Sequence, residues 1–287
     1  MISFLLPTRG RSDLVNRFFS SIVETTSHLK DIEVVLYLDE DDTGSHNLDS
    51  ADFRVVRIVG PMLSMGGFNS ACLEKATGDV IILANDDMVI RTPGWDSRIR
   101  ALHAKFKDQI YFSYPNDLFR EGRIPVFPII SRRVCKLLDD PYPAVYQKYF
   151  IEVHLFDIFK RLQHAGFDRI YYYDNVRFEH LHYRAGKATY DETYSLARNK
   201  RFDDDMTFVA LTAMRSKNAN RLISAIRNEP IPAGSDVNYQ DAVPTSIVST
   251  INLFFRRFLL NGELPYRWRL FLFIWLSARY FFAKIFL

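Results

Sequence analysis

Over its first 115 positions this 287-residue chain alternates short apolar runs with amphipathic stretches, the pattern of βαβ units and a mostly parallel sheet. Ile2 to Leu6 predicts a first strand. Ser12 is placed to cap a helix reaching about Ser27, along which Leu14, Val15, Phe18, Phe19, Ile22 and Val23 form one stripe. Ile32 to Leu38 and Phe53 to Val59 predict two more strands. A helix over Phe68 to Ala76 follows the Gly66-Gly67 pair, with Gly78 as its C-cap. Val80 to Ala84 is apolar, as a central strand covered on both faces would be.

Past Pro93-Gly94 a helix runs to about Lys107, and Ile110 to Tyr114 predicts a fifth strand. The pattern then loosens into Pro-rich loops near 115, 125 and 142, a helix from about Phe150 to Ala165, and a strand over Arg169 to Tyr173. There is no internal repeat. The expected organisation is one α/β domain over 1–227, with a donor half to about 115 and an acceptor half beyond it. A linker over 228–244 and an apolar, basic helical tail over 245–287 follow.

Charge changes this picture mainly in the tail. The whole chain is at +3, but from Thr245 onward six basic residues face one acid, Glu263, so the tail holds +5 and the body −2. An acidic body argues against nucleic acid as the partner. Two cysteines, Cys72 and Cys135, in apolar contexts indicate no disulfide framework, which suits the cytoplasm. The N-terminus lacks the basic start and long apolar stretch of a signal peptide.

In a doubly wound sheet, ligands bind beyond the carboxyl ends of the strands. The polar clusters fall there: Pro7-Thr8-Arg9-Gly10-Arg11 after the first strand, Asp39-Glu40-Asp41-Asp42 after the second, Asn85-Asp86-Asp87 after the central one. Carboxylates crowded at a buried strand end repel one another unless a cation sits between them, and Mg²⁺ or Mn²⁺ on oxygen ligands commonly brings phosphates. Taken alone, Asn-Asp-Asp is also ordinary turn material. Gly66-Gly67 before a helix offers backbone N–H groups to a phosphate or ribose, and Arg9 and Arg11 offer guanidiniums. Neither the dinucleotide fingerprint nor the P-loop pattern is present.

The runs Leu5-Leu-Pro-Thr-Arg-Gly-Arg11, Tyr37-Leu-Asp-Glu-Asp41, Met65-Gly-Gly-Phe-Asn-Ser-Ala71, Thr77-Gly-Asp-Val-Ile-Ile-Leu-Ala-Asn-Asp-Asp87 and Pro93-Gly-Trp95 stand in the order and spacing of the donor half of family 2-like GT-A glycosyltransferases. The chain resembles that family over about its first hundred residues. The resemblance implies a GT-A fold, Rossmann-like with a mostly parallel sheet flanked by helices, and a nucleoside-diphosphate sugar as donor. Pro7, Thr8, Arg9 and Arg11, with Gly66, Gly67 and Asn69, would border the donor. Asp39, beside Asp41, would bind a uracil or thymine base. Asn85-Asp86-Asp87 would be the Asp-x-Asp motif, carrying Asn at its first position, with Asp86 toward the ribose or sugar and Asp87 on Mn²⁺ or Mg²⁺. In the second half, Phe127 to Arg133 would line the acceptor side, and Glu152, or Asp157 as second choice, would be the base that takes the acceptor proton. Glu152 is equally placed to be a helix N-terminal acid favoured by the dipole. His180 and His182, at strand spacing on one face, would complete the metal site. Lys187 would neutralise the leaving group, and Asp191-Glu192-Thr193-Tyr194 resembles the loop that closes over the diphosphate. Asp203-Asp204-Asp205 reads as solvated surface.

The tail's longest charge-free apolar run, Leu270 to Ala278, is short of the roughly 20 residues that span a bilayer. Arg269, Arg279 and Lys284 gather on one arc of a helical wheel, which suits a helix lying in an anionic interface at the cytoplasmic face of the membrane. The same helices could instead cap the domain or pack in a dimer, and the 18 residues from Leu270 to Leu287, with only two charges, could span the bilayer. The expected activity is inverting transfer to a hydroxyl of a glycan or polyprenyl-linked acceptor. Two alternatives stand beside it: a sugar nucleotidyltransferase, and a catalytically degenerate membrane scaffold.

Overall fold

The computed structural model describes residues 1–187, 202–233, 244 and 246–286. The segment Asp191 to Tyr194 and most of the expected linker therefore lie outside the described residues. Four strands run parallel at one side of a single eight-stranded sheet: β1 (Ile2–Thr8), β2 (Ile32–Asp39), β3 (Arg54–Gly60) and β4 (Val80–Leu83). Helix α1 (Ser12–Thr25) links β1 to β2, and α2 (Met65–Lys75) links β3 to β4. The right side of the sheet is mixed. It holds β5 (Met88–Ile90), β6 (Phe112–Asn116), β7 (Ile129–Ser131) and β8 (Ile170–His180), in the overall order β3-β2-β1-β4-β7-β6-β8-β5. Between β5 and β6 lies α3 (Trp95–Lys105), and α4 (Arg132–Leu137) follows β7.

Every residue of β2 and β4 is buried; β4 is an unbroken apolar run covered on both faces, while β2 carries a buried Glu33 that accepts from Ser3 and Thr77. Two cores result. One, under α1 and α3, gathers Phe4, Phe18, Trp95 and Phe178, whose rings meet at centroid distances of 5.3 to 5.4 Å. The other lies under α5 (Ile151–His164), α6 (Asp203–Ala210) and α7 (Thr212–Arg227).

Two sequence expectations change here. Strand β8 continues past Tyr173 to His180, because after the turn-like Asp174-Asn175 it resumes pairing, now antiparallel with β5. The tail is not a separate layer. Helix α8 (Ile247–Phe254), a π turn over Phe255–Leu259 and α9 (Tyr266–Phe286) bury Phe254, Phe258, Leu264, Trp268, Leu272 and Leu276 in the second core. Aromatic rings pack this seam, as in Phe156 on Trp268 and Phe150 on Trp275, both 5.2 Å apart. Among the described residues no helix is long and apolar enough to cross a membrane.

Candidate active site

Register brings the polar loops together. Because β1 pairs parallel with β2 through Thr8 and Leu38, Arg9 emerges beside Asp39. Its guanidinium donates to Asp39 Oδ2 at 2.7 Å and to both oxygens of Asp41 at 2.6 and 2.7 Å. Those hydrogen bonds hold the Asp41 carboxyl below its usual range. Asp39 is buried and keeps Oδ1 without a hydrogen-bond partner among the described residues. On the other side of β1, Ala84 N–H bonds to the Leu5 carbonyl at 3.0 Å, which sets Asn85-Asp86-Asp87 against the end of β1. Asn85 is half-buried, and its carbonyl accepts from Met88 N–H to close the turn.

Asp86 and Asp87 point to different partners. Thr8 Oγ1 and Arg11 Nη1 each donate to Asp86 at 3.0 Å. Burial pushes the Asp86 carboxyl up to about 6, with Arg11 acting against that rise. Asp87 is 4% exposed. The antiparallel pairing of Met88 with His180, extended by Leu181 N–H to the Asp87 carbonyl at 2.9 Å, brings His180 Nε2 to 3.3 Å from Asp87 Oδ2. His182 follows two residues later, its ring centroid 5.1 Å from that of His180 and stacked on Phe119.

This pair fits a hard or borderline divalent cation. It provides one carboxylate and one imidazole, and His180 Nδ1 is buried with no hydrogen-bond partner among the described residues. No group of three or more His, Cys, Asp or Glu converges among those residues. Phosphate oxygens and water would complete the shell, as Mg²⁺ and Mn²⁺ commonly allow.

Five expected site residues are engaged elsewhere. The first N–H groups of α2 are already engaged: Met65 to the Gln147 carbonyl, Gly66 to the Tyr146 carbonyl, Gly67 to the Ser64 hydroxyl, at 3.0 to 3.1 Å. A helix start whose donors are taken cannot cradle a phosphate with them. Gly66 is instead a packing glycine, since a Cβ there would lie 2.0 Å from the Pro143 carbonyl oxygen. Gly66→Ala should destabilise the fold by about 3 kcal/mol, while Gly67→Ala, which meets only the Leu63 and Ser64 side chains at 3.2 and 3.3 Å, should cost about 1 kcal/mol or less. Urea denaturation of the two variants checks this. Equal stability of both would contradict it. Asn69 folds back on its own helix, donating to the Met65 carbonyl at 2.9 Å.

Asp157, the second-choice base, does not face the site. It is wholly buried, accepting from Arg161 Nε at 3.2 Å, Arg215 Nε at 2.8 Å and Trp268 Nε1 at 2.8 Å. Burial alone would raise its carboxyl; Arg161 and Arg215 hold it below the usual range. Lys187 lies 2.8 Å from Glu179, which also pairs with Arg91.

Glu152 does reach the site. A cavity of about 390 Å³ lies between the two histidines and α9, with Glu152, Phe119, Trp275 and Arg279 in its wall. Burial pushes the Glu152 carboxyl up to about 7. Just before it, Phe150 adopts φ 76°, a conformation bulky residues rarely take. Backbone strain of this kind persists where the surroundings over-determine it, and Asp204 does so: its carboxylate accepts from the N–H groups of Gln147, Lys148 and Tyr149 at 2.7 to 2.8 Å.

Asp204 and Asp205 are therefore not solvated surface. Both are buried, and Asp205 holds Arg279 through Nε and Nη2. The arginine arc on the tail helix breaks accordingly, because Arg279 faces the cavity. Asp117 is a further organiser that the sequence did not signal. Its Oδ1 accepts from Phe119, Arg120 and Glu121, shaping the loop that carries Phe119.

By sequence, no family model and no curated protein matches the chain. By structure, it is similar to the mannosyltransferase PcManGT from Pyrobaculum calidifontis in complex with GDP-Man and Mn²⁺, at TM-score 0.52 and 12% identity over 99% of this chain and 87% of that one. It is also similar to S. aureus TarS 1-349, at TM-score 0.50 and 11% identity over all of this chain and 93% of that one. The TarS complex with UDP matches at TM-score 0.50 and 12% identity. The chain has the GT-A fold of these glycosyltransferases.

Proposed function

We propose that the chain is a metal-dependent glycosyltransferase that moves a sugar from a nucleoside-diphosphate donor to an acceptor hydroxyl, with inversion. The observation that carries this reading is that Glu152 and His180 line one cavity, with Asp87 3.3 Å from His180 behind it. Structural neighbours that hold GDP-Man with Mn²⁺, or UDP, support it. Asp87 and His180, with His182 beside them, would hold Mn²⁺ or Mg²⁺, which supplies charge neutralisation to the departing diphosphate. Asp39 offers Oδ1, which has no hydrogen-bond partner among the described residues, to a nucleobase N–H, and Asp86, held by Thr8 and Arg11, would face the donor sugar. Glu152, its carboxyl raised by burial, takes the acceptor proton as the new bond forms. The finer parts of the proposal are a UDP- or dTDP-linked donor, a glycan or polyprenyl-linked acceptor, and placement at the cytoplasmic face of the membrane.

The sugar nucleotidyltransferase alternative loses ground on one observation. The loop after β1 gives its positive groups and its Gly10 N–H to Asp39, Asp41, Asp42 and Asp86, leaving them poorly placed for a triphosphate. Slow transfer to water tests the main reading: a panel of nucleotide sugars with Mn²⁺ should yield at least one that is hydrolysed, and none hydrolysed would sink it. With a raised carboxyl as base, kcat/KM should climb about tenfold per pH unit below 7 and level off above it, because only ionised Glu152 accepts the proton. Glu152→Gln should lose about a hundredfold and the inflection near 7. An unchanged pH profile in this variant would remove Glu152 from the chemistry.

A further inference from the structure

Helix α9 has two working faces. Trp268, Leu272 and Leu276 are buried in the second core, and Trp275 and Arg279 on the same side line the cavity that holds Glu152. Opposite them, Arg267, Leu270, Ile274, Ala278 and Phe281 recur every three or four residues, which puts them on one stripe, and all five are exposed. Ile274 is 57% and Phe281 41% exposed. The stripe continues onto the preceding turn, where exposed Phe255 lies against Phe273 of α9 and Arg256 is exposed beside it.

An exposed apolar stripe on a described surface asks for a partner, and charge selects among partners. No acid occurs between Tyr266 and Phe286, whereas Arg267 and Lys284 stand exposed at its two ends. A second copy docked on the same stripe would bring like charges together across a two-fold interface with no acid on the helix to offset them. An anionic lipid surface offers the complementary sign, and apolar side chains flanked by cations insert at its headgroup boundary. We propose that the outer stripe of α9 lies on an anionic lipid surface while its inner face walls the acceptor cavity, so that the acceptor hydroxyl is presented by a molecule held in that same surface. The last clause rests on the glycosyltransferase reading; the docking surface does not.

The test uses the full chain and two vesicle compositions, phosphatidylcholine alone and phosphatidylcholine mixed with phosphatidylglycerol. The wild type should sediment with the mixed vesicles and far less with the neutral ones. The double substitution Leu270→Glu with Ile274→Glu should weaken that binding by about tenfold or more while donor hydrolysis in solution stays as in the wild type. Because Cys72 and Cys135 are buried, an environment-sensitive dye on Ile274→Cys reports that position selectively, and its emission should shift as in a dehydrated site when mixed vesicles are added. The same dye on Ala51→Cys, exposed near the start of β3, should not respond. A wild type that stays in the supernatant, or that sediments with the Ile274→Cys dye still in water, would overturn the proposal. So would a dimer in vesicle-free solution that Ile274→Glu splits, which would give the stripe to a second copy. Docking with no donor hydrolysis in the wild type would instead overturn the transfer reading and the clause on the acceptor.

Discussion

Replacing Asp87 by alanine should slow donor hydrolysis by about a thousandfold at saturating Mn²⁺, roughly 4 kcal/mol of transition-state stabilisation. Asp87 is the carboxylate that the β5–β8 pairing sets against His180, and no third His, Cys, Asp or Glu joins the pair among the described residues. With so few protein ligands, loss of one would remove most of the hold on a bound cation. The turn itself should survive, since it is closed by backbone bonds from Met88 to Asn85 and from Leu181 to Asp87. Kinetics in parallel with circular dichroism check this. A variant that hydrolyses the donor as fast as the wild type, with the same response to Mn²⁺, would remove Asp87 from the metal site and with it the role given to the Asn85-Asp86-Asp87 turn.

The second large effect falls on stability. Asp157→Ala should cost about 3–5 kcal/mol, because it leaves Arg161 and Arg215, 3% and 0% exposed, without the carboxylate between them. It also removes the acceptor for the Trp268 indole, which ties α9 to α5. The molecules that remain folded should hydrolyse donor at close to the wild-type rate per folded chain, since Asp157 does not line the cavity. Thermal unfolding with active-site titration separates the two readouts. A stable Asp157→Ala protein with catalysis abolished would restore Asp157 as the base and displace Glu152.

The donor side of the fold was legible because its signals are local. Apolar runs of strand length, a Pro or acid at each strand end and the short spacing between them predict β1, β2 and β4 and the edge where Thr8, Asp39 and Asp86 meet. The carboxylates that organise the other half were not legible, because their partners are remote in sequence. Asp204 serves N–H groups 55 to 57 residues away, and Asp157 meets Trp268 after 111. An acidic triplet at a helix start looks the same whether water or a distant loop donates to it. Gly66 misled for a related reason: a glycine before an expected helix suits both a phosphate cradle and a close backbone approach, and only the position of Pro143 decides. On α9, counting arginines on a wheel could not show that Arg279 turns inward to Asp205 while Arg267 and Lys284 stay outside.

Calorimetric titration of the wild-type chain with UDP, dTDP and GDP, each with and without Mn²⁺, tests the central claim most directly. At least one nucleoside diphosphate should bind, and Mn²⁺ should tighten it by about tenfold or more, or about 1.4 kcal/mol, because Asp87 and His180 would hold a cation that neutralises the diphosphate. No binding of any of the three in the presence of Mn²⁺, or binding that Mn²⁺ leaves unchanged, would contradict the account.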